Sequence, residues 1–329
     1  MLPALAAIAA MTGCASAGTA RSSEPPRPTP TATVAPFGFD IAPLTGKLVS
    51  AGSVNHPSLA AKVDNLEDAR PQWALNDTDM VYEELVEGGL TRYVAVWQST
   101  IPSDVGPVRS IRPMDPDIVS PLGGIVAYSG GQTQFVAMMQ AAPVLNISAD
   151  SNDEFFYRTT SREAPHNELL KAQQVVSQHS DIAKPQPQFS FGSSSQVAAQ
   201  AGTPTANISL VFSAGDERSW DWDASSGVWL RSQDGVADMV EGGGRVHAVN
   251  VVTLRVNIDW SYGIVPKTIL IDKGEAFASI GGRTIHGTWS KASQTAPIVL
   301  TADDGSVLRL APGNTWIELV PNSGSATFR

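Results

Sequence analysis

Apolar residues in this chain arrive in short runs, and turn-forming residues fence nearly every run. Leu59–Val63, Tyr93–Trp97 and Gly124–Tyr128 read as strands in the first half. Ile208–Ser213, Val246–Val256, Lys267–Asp272, Ile298–Thr301, Val307–Leu310 and Trp316–Val320 read as strands in the second. Gly and Pro supply 51 of the 329 residues and mark the turns between them, at Gly242–Gly244, Gly281–Gly282 and Asp304–Gly305 among others. Helical spacing is confined to three stretches, Asp77–Glu87, Thr133–Ala141 and Asn167–Gln178, the last with Leu169, Ala172 and Val176 on one face. The pattern excludes a helical bundle and predicts an α+β chain. In it, an N-terminal α/β-type sheet domain with packed helices occupies residues 41–183. A linker rich in Pro, Ser, Gln and Gly covers 184–206, and a mostly antiparallel β domain covers 207–325. No fixed-period repeat runs through either half.

Charge narrows the partners. Lys and Arg number 22 against 32 Asp and Glu, a net charge of −10, and such a surface does not neutralise a phosphate backbone, so nucleic acid is not expected as a partner. The single cysteine, Cys14, excludes an intramolecular disulfide framework and a cysteine-rich metal centre. Its position is more informative. An apolar run too short to span a bilayer leads into Met11-Thr12-Gly13-Cys14, which resembles the lipobox of a bacterial signal peptide, where the cysteine is lipidated and becomes the first residue. The alternative is a buried cysteine in an apolar helix. No Lys or Arg precedes Cys14, an absence that a start codon set too far downstream would explain. Residues 15–40 continue as a Pro/Ser/Thr tether, with Pro25-Pro26-Arg27-Pro28-Thr29-Pro30 favouring an extended chain. The expected layout is a signal segment over 1–14, a lipid anchor in the cytoplasmic membrane, a stalk, and a body on the extracytoplasmic face.

Wound as a helix, residues 79–87 separate Val81, Tyr82, Leu85 and Val86 from Asp79, Glu83, Glu84 and Glu87. Gly88-Gly89 would end that helix. Its acidic face carries like charges four residues apart and near the C-terminus, against both local pairing and the helix dipole, so it invites cationic partners. Arg92, Arg109 and Arg112 follow closely in sequence. Either they pair with this acidic face, or they wait for an external carboxylate or phosphate.

Several segments here resemble motifs of the YerB-like lipoprotein family of bacteria: Pro43–Gly46, Ala69–Gln72, Val81–Arg92, Gly106–Arg112 and Ala164–Asn167. In the second half, His286–Trp289 and Pro312–Pro321 resemble the family's C-terminal domain. Together the motifs span residues 43–321 in the family's order. One position departs, with Gln132 standing where a small residue or serine is expected after Ser129-Gly130-Gly131. The resemblance implies two successive domains behind a lipoprotein signal and brings no reaction with it. Its polar motifs fall at the ends of predicted elements, where sites form in open sheets. From them we take Glu87 and His166 as candidate proton-transfer groups, and Arg92, Arg109, Arg112 and Asn167 as candidate ligand-binding groups. A lone histidine such as His166 serves structure as readily as catalysis.

Other chemistry finds little support. His56, His166, His179, His247 and His286 have no metal-ligand spacing, and no phosphate loop, dinucleotide fingerprint or nucleophile elbow occurs, so no cofactor or metal is expected. Trp220, Trp222, Trp229, Trp260, Trp289 and Trp316 all lie in the β half, where packing is the expected role and sugar stacking the alternative. Two functions follow. One is an envelope lipoprotein that binds an anionic ligand, a cell-wall glycan or peptide, or an envelope protein. The other is a peptidoglycan-directed hydrolase or lyase with Glu87 as general acid or base. Cys14→Ser is expected to release the protein from the membrane fraction, and unchanged fractionation would refute the lipid anchor.

Overall fold

The computed structural model describes Met1 and residues 35–329. Cys14, the rest of the signal segment and most of the tether lie outside the described residues. Strands hold 43% of the chain and helices 12%, a mostly β form of the expected α+β class, in two domains.

A twelve-stranded sheet is the spine. Its strands lie in the order Thr203–Pro204, Arg283–Ser290, Lys273–Ile280, Asn250–Tyr262, Thr315–Pro321, Met80–Leu85, Thr91–Trp97, Leu59–Asp64, Ile125–Tyr128 and Leu145–Ser148. Val265–Ile269 and Val299–Ala302 pair onto two of these strands. Both halves of the sequence therefore share one ladder. The seam between them is parallel, with Thr315–Glu318 registered on Met80–Glu83.

Side chains alternate across this sheet as the pleat requires. Val81, Leu85, Tyr93, Ala95 and Trp97 join Leu210, Phe212, Trp220, Trp229 and Trp316 in one core, beneath the antiparallel sheet of Asn207–Ser213, Asp216–Asp223 and Val228–Gln233. Met80, Tyr82, Val94 and Val96 face the other way, onto Ile118 and Val119 of the helix Asp115–Val119 and onto Phe135 and Met139 of the helix Thr133–Gln140.

The helix expected over Asp77–Glu87 is a strand, Met80–Leu85, buried along its whole length. Covered on both faces, such a strand need not alternate apolar and polar, and tertiary context overrides a pattern that also satisfies helical winding. The helix expected over Asn167–Gln178 is divided into a strand, Glu168–Leu170, paired with Phe156–Arg158, and a helix, Ala172–Gln178. Val307–Leu310 contributes bridges to Thr301 and Phe191 in place of a regular strand. Residues 184–206 hold the short helix Ser194–Ala198, closed at its start by reciprocal bonds between Ser193 and Gln196.

Glu83, at the centre of the sheet, is fully buried. Its Oε1 accepts from Arg218 Nε (2.6 Å) and Thr91 Oγ1 (2.6 Å), and its Oε2 accepts from Arg231 Nη2 (2.5 Å). Burial would raise this carboxyl, but the Arg231 and Arg218 charges outweigh it and hold Glu83 below the ordinary range. Glu318 lies beside it in parallel register and accepts one bond, from Trp220 Nε1 (2.8 Å). Burial, reinforced by the Glu83 charge, pushes Glu318 well above the ordinary carboxylate range. The native protein then holds a proton that the unfolded chain gives up. Stability should fall as pH rises from the ordinary carboxylate range through the raised native value, at roughly 1.4 kcal/mol per pH unit. Urea midpoints at pH 5, 7 and 9 should show this decline in the unaltered protein and its loss in Glu318→Gln. Parallel pH profiles for the two proteins would sink the assignment.

Candidate functional site

Glu83 and Glu84 are neighbours on a strand, so they point to opposite faces. Glu84 faces the helices and meets the buried ammonium of Lys62, which also donates to Asp115 Oδ1 (2.8 Å). Burial pushes Lys62 down to about 8, against the raising effect of Asp115 and with the nearby charges of Arg92 and Arg112 acting in the same downward direction. Of the four acids on the expected helix face, Glu87 pairs with Arg112, whereas Glu83 meets Arg218 and Arg231, Glu84 meets Lys62 and Asp79 accepts from Ser99.

Arg92, Arg109 and Arg112 line a cavity of about 350 Å³ together with Glu87 and Asp64. Arg92 is brought there by the start of the strand Thr91–Trp97, and Glu87 by a turn in which Gly88 and Gly89 take φ of 72° and 77°. The loop carrying Arg109 and Arg112 is tied to the sheet by its backbone. Arg109 N donates to Lys62 O (2.9 Å) and Ile111 N to Gly130 O (3.1 Å). Arg112 Nε donates to Glu87 Oε2 (2.7 Å), while its Nη1 reaches the carbonyls of Ile111 (2.8 Å) and Ser110 (3.2 Å). Arg109 Nε lies 2.9 Å from Asp64 Oδ2, an ion pair without an aligned hydrogen bond.

His166 enters from the loop before the strand Glu168–Leu170, and its Nδ1 lies 2.7 Å from the same Asp64 Oδ2. Asp64 thus links His166 to the arginine cavity. Asn167 stays outside. Its Oδ1 accepts from Arg158 Nη1 (2.9 Å) and its amide donates to the carbonyls of Thr159 (3.0 Å) and Arg162 (3.1 Å), so the contacts of Asn167 shape its own loop.

The charges in the cavity are unequal in their partners. Partial burial would raise Glu87, but the hydrogen bond from Arg112 and the charges of Arg112 and Arg92 bring it below the ordinary carboxylate range. Arg92 donates to Ser110 O (3.0 Å), and among the described residues no carboxylate lies within ion-pair distance of it. Burial, with Arg112 and Arg109 beside it, pushes Arg92 down to about 10. It remains a cation at neutral pH, with Asp64 and Glu87 acting on it through space and, among the described residues, no carboxylate in direct contact.

Comparison with known proteins gives this geometry a family. Residues 44–184 match the model described as the protein of unknown function (DUF3048) N-terminal domain, and residues 208–317 match that of its C-terminal domain. The chain belongs to this family. A Bacillus subtilis (strain 168) protein named "Putative lipoprotein YerB" is 25% identical over 300 residues, covering 87% of this chain and 88% of that protein. The crystal structure of the YerB protein from Bacillus subtilis superposes with a TM-score of 0.77 at 24% identity, over 87% of this chain and 99% of that one, and so shares the fold.

Sequence reasoning missed Lys62, Asp64 and Asp115. The first two left a signal, since Leu59–Asp64 carries two charges at alternate positions of an otherwise apolar run. Ile264 also lines the cavity, from the far half of the chain, and nothing local marks it. A wider cavity of about 1040 Å³ lies elsewhere, around His286, whose imidazole sits between Asp303 (2.8 Å) and Glu275 (3.1 Å). All three side chains are exposed, and ion pairs in that setting contribute little. Trp220, Trp229, Trp289 and Trp316 are buried, while Trp260 is 56% exposed. Among the described residues no group of three or more His, Cys, Asp or Glu side chains is placed to hold a metal ion.

Lys62 is the cation beneath the arginine cavity. Lys62→Met would leave Glu84 and Asp115 buried without their shared counter-charge, so we expect a loss of about 3–5 kcal/mol of stability in urea unfolding. A change below about 1 kcal/mol would show that the pair is not needed.

Proposed function

We propose that this protein is a lipid-anchored envelope protein, held at the extracytoplasmic face of the membrane through Cys14, whose arginine cavity binds an anionic group of a cell-wall component or an envelope partner. The anchor is supported by the lipobox-like run before Cys14 and by the name of the Bacillus subtilis relative. No helix among the described residues is long and apolar enough to cross a membrane.

The observation that carries the binding function is Arg92, a part-buried guanidinium with no carboxylate at ion-pair distance among the described residues, flanked by two further arginines. An incoming anion supplies the missing counter-charge with charge-assisted hydrogen bonds. The hydrolase or lyase alternative asks Glu87 either to carry a proton at neutral pH, as general acid, or to offer a carboxylate free to accept one, as general base. Arg112 opposes both, because its hydrogen bond and charge stabilise the carboxylate form against taking up a proton. Glu87 serves better as the group that fixes Arg112 in position.

The test incubates the full chain with purified peptidoglycan, separates bound from free protein, and examines the soluble products by mass spectrometry. Retention without new muropeptides is expected. Arg92→Gln should weaken retention roughly tenfold or more, since a hydrogen bond to a charged group contributes about 1.5–3 kcal/mol. New muropeptides that vanish in Glu87→Gln would overturn the binding function in favour of a wall-cleaving enzyme. Absence of both retention and products would exclude peptidoglycan and leave an envelope protein as the partner.

A further inference from the structure

The arginine cavity has a second character that charge alone does not explain. Beside its guanidiniums stand Leu66, Val86, Leu90 and Ile264. Leu90 is 40% exposed and Ile264 is 81% exposed. Ile264 belongs to the turn between the strands Asn250–Tyr262 and Val265–Ile269, which comes from the second half of the chain. Gly263, at φ 72°, takes the left-handed position of that turn. Turn tips favour Gly, Asn, Asp and Ser, so a β-branched apolar residue there has no conformational reason. The hairpin is also held in place. Tyr262 packs edge-to-face on Phe135 of the helix Thr133–Gln140, with ring centres 5.4 Å apart, and Val265 is buried.

The polar lining points the same way. Thr91 is the one hydroxyl-bearing residue of the cavity wall, and its oxygen is engaged on the opposite face of the sheet. It donates to Glu83 (2.6 Å) and accepts from Asn65 (2.7 Å) and Arg218 (2.7 Å). The cavity therefore offers guanidiniums, two carboxylates already paired with Arg109 and Arg112, and aliphatic carbon, with no free hydroxyl or side-chain amide.

We infer that the ligand of this cavity is an aliphatic phosphate, its phosphoryl group held by Arg92, Arg109 and Arg112 and its first carbons covered by Ile264 and Leu90. This rests on the anion-binding function proposed above and narrows it to an amphiphile. Phosphate suits the site because its several oxygens can engage more than one guanidinium at once. A cavity of about 350 Å³ holds the head and the adjoining carbons, and the remainder of the chain leaves along the hairpin, where Trp260 is also exposed.

The test measures binding of inorganic phosphate and of hexyl phosphate to the full chain by titration calorimetry. Covering about two methylenes gives roughly tenfold at the usual transfer value, so hexyl phosphate should bind at least tenfold more tightly. Ile264→Asn, a substitution that a turn accepts, should cut this preference at least threefold and leave the affinity for inorganic phosphate within about twofold. Equal affinities for the two ligands, or a preference undiminished in Ile264→Asn, would overturn the amphiphile while leaving the anion site intact. Binding of neither ligand would overturn the phosphate assignment, and Arg92-dependent retention on peptidoglycan would then decide separately whether the anion site stands.

Discussion

Glu83 sits in the middle of the central sheet without access to water, and both guanidiniums that neutralise it come from the other half of the sequence. A buried carboxylate without such partners is far costlier than the pair itself contributes, so the interaction acts mainly as a constraint on assembly. The strand Met80–Leu85 cannot be buried unless Asp216–Asp223 and Val228–Gln233 are folded over it. Glu318 tightens the condition, because parallel pairing sets a second acid beside the first. Arg231 reaches Glu83 and Asp238, and its guanidinium packs over the rings of Tyr93, Trp220 and Trp316, while Glu318 is met by Trp220 Nε1. The two halves are consecutive in sequence, yet their central strands form a single hydrogen-bonded ladder with a shared charged core.

The same strand organises the opposite face by a shift of one residue. Glu84 turns toward the helices, and Lys62 joins it to Asp115. Asp115 in turn accepts from the backbone N of Arg112 (2.5 Å). The loop that presents Arg112 is thereby fixed from below as well as by Glu87 from the side. Positioning of this kind lowers the ordering cost of binding, because the guanidiniums are already held where an anion would meet them.

Much of this was legible in the sequence at the level of elements. The runs Leu59–Val63, Tyr93–Trp97, Ile208–Ser213 and Trp316–Val320 are strands because β-branched and aromatic residues crowd between turn signals. Residues 79–87 misled for a physical reason. Their acids fall on one face when wound at 100° per residue, and the same acids fall on opposite faces of a strand buried on both sides. Only the partners decide between the two, and Lys62, Arg218 and Arg231 lie 22, 135 and 148 residues away from the acids they meet. The arginine cluster was visible from proximity along the chain, since Arg92, Arg109, Arg112 and Glu87 sit on adjoining turns. Its apolar rim was not, because Ile264 arrives through a hairpin whose place depends on the parallel seam.

Two acids, Asp64 and Glu87, share the cavity with the three arginines. Three guanidiniums in so small a space repel one another, and burial first, then the charges of Arg112 and Arg109, lower Arg92. Asp64 and Glu87 each lie against the Nε of one arginine, which relieves that repulsion, and the Glu87 hydrogen bond fixes the plane of Arg112. Arg92 has no carboxylate within ion-pair distance among the described residues, and the proposed anion would supply one. A cavity with no acids would be harder to fold, and one with a third acid would be satisfied and closed to ligands. Among the described residues, the arrangement of two internal pairs and one guanidinium without a direct partner is tolerable in the free protein and would still favour the proposed anion. Such a site is partly screened, so its affinity should respond to salt less steeply than that of an exposed basic patch.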